Sequence, residues 1–196
     1  MLGIDKKISL FSWVLIGSIL CAASPAYANA GLPMIVVTLP AMAIALIPII
    51  LIESFFLKKN GIPFKPVLKW VTIGNIVSTL VGIPCTWIAL LGIQFAAGGG
   101  GSFEVETFWG KVLAVTVQAP WIIDYGKGYE WMFAASALFL LIPFFWISYC
   151  IEVVFLRRIK SVPREIIQKL CFKANVISYA LLALFPIGML IFQSAK

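Results

Sequence analysis

Histidine is absent from this 196-residue sequence. That removes the commonest general base, the commonest transition-metal ligand and any His-ligated haem. Charge is scarce as well: Asp, Glu, Lys and Arg make up 12% of the chain, and only 8 residues are acidic. So little charge does not suit the surface of a soluble domain. The 4 cysteines, Cys21, Cys85, Cys150 and Cys171, show no CxxC or other metal-ligand spacing and imply no disulfide framework. They read as buried small apolar residues. No serine or cysteine stands beside a plausible base, so the usual nucleophilic constellations are missing too. The sequence therefore predicts no enzymatic activity, no metal site and no cofactor.

What the chain has in quantity is apolar residues, 62% of the total, with a mean hydropathy of +1.04. This is the composition of an integral membrane protein whose first partner is the lipid bilayer. The net charge of +7 does not indicate nucleic acid. The basic residues sit in short blocks beside apolar runs, where they act as topology signals, and no basic face or recognition motif accompanies them.

Residues 1–28 carry Lys6 and Lys7, an apolar stretch from Ile8 to Ala23, and the small-residue pattern Ala26, Tyr27, Ala28. This pattern predicts a secretory signal peptide with a cut before Asn29; a cut after Ala30 fits nearly as well. Leu20 precedes Cys21 where lipoprotein processing needs a small residue, so no lipid anchor is expected. Cleaved or kept as an extra helix, the segment leaves Asn29 on the outer side.

Four apolar runs follow: Met34 to Leu57, Val71 to about Ala97, Trp131 to Leu156, and Ala174 to about Phe192. The first, 24 residues long, reaches ~36 Å at ~1.5 Å per residue and exceeds a bilayer core of ~30 Å. Ten of the 15 Lys and Arg residues lie in the two connections after the first and third runs. The positive-inside rule places both connections in the cytoplasm, so the mature termini lie outside. The segment between the second and third runs carries Glu104, Glu106, Asp124 and Glu130 against Lys111 and Lys127, as an outer loop should. Trp109, Trp121, Trp131, Tyr125 and Tyr129 supply an outer aromatic belt, and Trp70 marks the inner surface. Within that loop, Phe103 to Ile123 is too interrupted by charge to span and is read as an interfacial helix or a short packed strand. Prolines at 40, 48, 84, 143 and 186 fall inside the proposed helices, where kinks are expected that chiefly shape packing.

The chain also repeats itself. ESFFLKK at Glu53 to Lys59 recurs as EVVFLRR at Glu152 to Arg158, and NIVS at Asn75 to Ser78 recurs as NVIS at Asn175 to Ser178. Pro63 and Pro163, Lys69 and Lys169, Asn75 and Asn175, and Ser78 and Ser178 are each 100 residues apart, whereas Glu53 and Glu152 are 99 apart. One extra residue in the second basic turn accounts for the difference. The expected fold is an all-α integral membrane protein with four transmembrane helices, built as two parallel-oriented helical-hairpin repeats after a signal peptide. Its parts are the signal peptide at 1–28, a first two-helix repeat at 29–97, an extracytoplasmic loop with the interfacial segment at 98–130, and a second two-helix repeat at 131–196. Because each unit crosses twice, the copies enter the membrane in the same direction and should be related by a pseudo-two-fold axis along its normal.

Each repeat places an acid ~7 Å inside the inner boundary, a little over one turn before the basic block, with an asparagine at similar depth on the next helix. Membrane acids face a partner or water rather than lipid. Glu53, Asn75, Ser78, Glu152, Asn175 and Ser178 are therefore the candidate polar or ion-binding residues. Two readings of them stand. In the favoured one they form a polar clamp in each hairpin, the acid also pairing with the Lys or Arg that follows. In the other they bind a cation or proton and line a path. The first suits a non-enzymatic accessory or assembly component of a complex in the bacterial inner (plasma) membrane. The second suits a small homodimeric ion- or proton-coupled transporter or channel using Glu53 and Glu152. Either way the further partner is a membrane protein or a second copy of the chain.

Overall fold

A computed structural model describes residues 32–98, 103–122 and 126–194; the expected signal peptide at 1–28 lies outside them. The elements in order are β1 (Leu32–Pro33), α1 (Met34–Lys59), α2 (Phe64–Gly98), α3 (Phe108–Thr116), β2 (Trp121–Ile122), α4 (Trp131–Leu156) and α5 (Arg164–Ser194). Apart from the two-residue antiparallel pairing of β1 with β2, these residues are all-helical. Helices α1, α2, α4 and α5 are each long and apolar enough to cross a membrane, so the chain is a multi-pass membrane protein by length and composition.

The helices α2 and α5 begin at Phe64 and Arg164, well before the apolar runs that start at Val71 and Ala174. Hydropathy marks where lipid begins, not where the helix does. The first seven residues of α2 carry Lys65 and Lys69 and extend the helix ~10 Å before the apolar run begins, and lysine stems can lie along apolar surface with their charges outward.

Short turns make α1 with α2, and α4 with α5, antiparallel hairpins. In the first turn Gly61 takes a left-handed φ of 87°. Its N–H donates to Lys58 O at 3.0 Å, and the N–H of Ile62 donates to Leu57 O at 3.3 Å. This is the Schellman pattern of a glycine-terminated helix, and Ile62 and Leu57 complete it by sharing one buried cluster. The second turn has no such glycine. It closes with bonds of the tighter 3₁₀ type, from Arg158 N to Phe155 O and from Ile159 N to Leu156 O, and takes one residue more. A Cβ at Gly61 would meet nothing within 4 Å, so only its backbone conformation resists substitution. Gly61→Ala should therefore cost about 1 kcal/mol, read from the unfolding midpoint in detergent; an unchanged midpoint would show that the turn does not need the left-handed conformation.

Besides the hairpin contacts, α2 packs on α4 and α1 packs on α5, so the four long helices form a ring of antiparallel neighbours. One apolar cluster, including Leu57, Val71, Leu156 and Cys171, fills the end near the basic turns. Another, including Met34, Ile83, Leu140 and Phe144, fills the opposite end. The outward faces are equally apolar, with Ile44, Ile47 and Phe185 all exposed. Apolar residues thus face outward as well as inward, as lipid as the outer solvent requires.

The segment between α2 and α4 contains a short helix and a two-residue extended pairing. Helix α3 is 9 residues long, ~14 Å at ~1.5 Å per residue, under half a bilayer core. After it, β2 pairs with β1 in the register Leu32↔Ile122 and Pro33↔Trp121. The Trp121 indole N–H donates to Gln94 Oε1 at 3.0 Å and its ring meets Trp87 edge-on, pinning the segment to α2. All five prolines expected inside helices are there. The cysteines differ from expectation. Cys171 is buried, but Cys85 and Cys150 are exposed, since a thiol is apolar enough to face lipid.

Candidate functional site

Between the two apolar clusters lies a buried polar centre. Glu53 comes from α1, Asn75 and Ser78 from α2, Glu152 from α4, and Asn175 and Ser178 from α5. Both glutamates are only 1% exposed.

The geometry is built from matching bonds. Asn75 Nδ2 donates to Glu53 Oε2 and Asn175 Nδ2 donates to Glu152 Oε2, each at 2.8 Å. Each amide also donates to the backbone carbonyl four residues earlier, Val71 O or Cys171 O, which fixes its rotamer. The Ser78 and Ser178 hydroxyls also lie 3.1 Å from the carbonyl of the asparagine three residues before them, which competes for the one proton each can donate. The hairpins are joined by serines. Ser178 Oγ of the second hairpin donates to Glu53 Oε1 of the first at 2.7 Å. In the other direction Ser78 Oγ meets Ser148 Oγ at 2.9 Å, and Ser148 Oγ donates to Glu152 Oε1 at 2.8 Å.

All six residues singled out in the sequence therefore converge on one centre, with Ser148 as a seventh. A signal for Ser148 was present: it stands four residues before Glu152, on the same helix face. It escaped because the position 99 residues earlier is Ile49, so the repeat that marks the other six does not include it. The same substitution makes the centre asymmetric, with Glu53 bonded directly across the hairpins and Glu152 bonded through Ser148.

The expected pairing of each acid with the basic turn is not present. The side chains acting on Glu53 are Ser178, Asn75 and Glu152, and those acting on Glu152 are Glu53, Asn175 and Ser148. The nearby cations turn outward to aromatic rings instead. Lys58 lies 5.2 Å from the centroid of Phe64, and Arg158 lies 5.0 Å from those of Trp70 and Phe155. A charge one turn from the helix end reaches water more easily than it loses its hydration in the core.

Both carboxyl groups thus belong to one buried hydrogen-bonded network. Among the described residues no three His, Cys, Asp or Glu side chains converge as metal ligands. Beside the centre is a cavity of about 10 Å³ bordered by Asn75, Ser78, Thr79, Ser148 and Tyr179, at the lower limit of ~10–15 Å³ for one water molecule. No protein-family model matches the chain, and comparisons with curated proteins and with solved structures gave no match.

Proposed function

We propose that this chain is a non-enzymatic polytopic component of the bacterial inner membrane, an accessory or assembly subunit of a larger membrane complex, whose dicarboxyl centre locks two helical hairpins into one rigid body. The observation that carries this reading is the engagement of every carboxyl oxygen. Glu53 Oε1 and Oε2 accept from Ser178 and Asn75, and Glu152 Oε1 and Oε2 accept from Ser148 and Asn175. Each oxygen thus has one of its two acceptor positions filled by a donor from a neighbouring helix or turn of helix, as a lock between helices requires. Interhelical polar contacts in membranes average only ~0.6 kcal/mol, so their value lies in defining which faces meet.

The same reading includes a duplicated hairpin. It is supported by the constant sequence offset, the matched Glu53–Asn75 and Glu152–Asn175 bonds, and the reciprocal packing of α2 on α4 and α1 on α5. The basic turns would be cytoplasmic and the α3 side external, with residues 1–28 serving as a signal peptide.

Purification from gently solubilised membranes tests the assignment. The chain should elute with another membrane protein in fixed ratio, and elution alone, as monomer or homodimer, would count against it. The cavity beside Asn75 and Ser148 favours the second reading, a small homodimeric proton- or ion-coupled transporter. If that held, liposomes containing the protein would show proton or ion flux that Glu53→Gln and Glu152→Gln abolish; the lock predicts flux at the level of empty liposomes for all three proteins.

A further inference from the structure

Toward the end opposite the basic turns, α1, α4 and α5 leave a crevice of about 570 Å³, within the ~300–1,000 Å³ range of sites that take small molecules. We propose that this crevice holds one acyl chain of a membrane phospholipid as a bound structural ligand. The inference does not depend on the functional reading above.

The crevice arises where the two halves of the ring differ. On the α2–α4 side, Gly82 lets Ile147 approach so closely that a Cβ on the glycine would lie 3.2 Å from Ile147 Cγ2. One hundred residues after Gly82 stands Leu182, and ninety-nine before Ile147 stands Pro48. Both Leu182 and Pro48 line the crevice. Bulk has replaced the glycine, and the α1–α5 side stands apart where the α2–α4 side closes.

The lining identifies the occupant. Apart from Thr38 and Ser136 it is apolar, and the Thr38 hydroxyl is already engaged by Met34 O in its own helix. A polar ligand or a file of water would find few partners there. Along α1 the crevice runs from Met34 to Pro48, ~21 Å of helix, against ~15 Å for half a bilayer core. One end is roofed by Ala119 and Trp121, held in place by the bond from Met34 N to Pro120 O at 2.8 Å. The sides are continuous with the lipid-facing surface, because Val37, Ile44, Phe133 and Phe185 belong both to the lining and to the exposed apolar exterior. A slot at this depth, open to hydrocarbon and longer than one leaflet, takes a chain from the surrounding phospholipid.

Native mass spectrometry on the full chain, extracted in mild detergent, tests this. The wild-type protein should retain one phospholipid per chain. Ala45→Phe, which fills the crevice from α1, should lower that occupancy at least tenfold while leaving helical content unchanged by circular dichroism. Ala137→Leu, a smaller filler on α4, should act in the same direction and decides the matter if the phenylalanine variant does not fold. A wild-type chain that retains no phospholipid, equal retention by the filled variants, or retention of an isoprenoid in its place would each overturn the proposal.

Discussion

Glu152→Ala should destabilise the bundle by about 3 kcal/mol, while Glu152→Gln should cost about 1 kcal/mol or less. The alanine removes the acceptor of Asn175 Nδ2 and Ser148 Oγ together and empties a fully enclosed site. Truncation of large buried side chains to alanine costs ~2–5 kcal/mol, and each buried donor left unpaired adds a further ~1–3 kcal/mol in water-soluble proteins. In a bilayer the polar part is smaller, because the unfolded helices also find partners, and this keeps the expected total near the lower end. Glutamine keeps the volume and one carbonyl acceptor, and the serine at the other oxygen can accept as well as donate. The measurement is reversible unfolding in mixed micelles with a denaturing detergent. A double-mutant cycle between Glu152 and Asn175 should show clear coupling, and equal losses for the alanine and glutamine variants would refute the lock.

Gly74→Leu should be at least as damaging, costing about 3 kcal/mol or preventing assembly. A Cβ on Gly74 would lie 3.0 Å from Glu152 Cγ and 3.3 Å from Glu152 Cα, so α2 and α4 touch nearly backbone to backbone at the polar centre. Overpacking of this kind costs ~1–3 kcal/mol and occasionally more, since a helix backbone cannot yield as a side-chain tip can. Close contacts between membrane helices rely on small residues for this reason. Gly92 on the same helix supplies the control. A Cβ there would meet nothing within 4 Å, so Gly92→Leu should change stability by no more than about 0.5 kcal/mol or raise it through helix propensity. Similar losses at the two glycines would show that helix propensity, not the approach to Glu152, accounts for the effect.

The polar centre was legible to the extent that its residues break an apolar pattern. Glu53, Asn75, Glu152 and Asn175 stand out because a polar side chain inside an apolar run needs a partner, and their recurrence at nearly constant spacing pairs them in the sequence itself. Which acid meets which serine was not legible. Ser178 reaches Glu53 across 125 residues of chain, and no local pattern distinguishes that bond from one within its own hairpin. Expecting the acids to pair with the basic turns gave weight to nearness along the chain, whereas hydration draws those cations outward to Trp70, Phe155 and Phe64. Ser148 carries no such mark in the sequence, because Ile49 stands at the matching position.

Chain order and composition alone determined the four apolar helices, the turns between them and the spacing of each polar residue from those turns. Hydrophobic length and helical rise are local quantities, additive along the chain. Tertiary structure alone decided that the two acids share one buried centre, that Gly74 and Gly82 let α2 and α4 close together, and that Pro48 and Leu182 line a crevice elsewhere in the ring. Those outcomes depend on side-chain volumes facing one another across helices, and such volumes act only once distant segments are brought within contact distance.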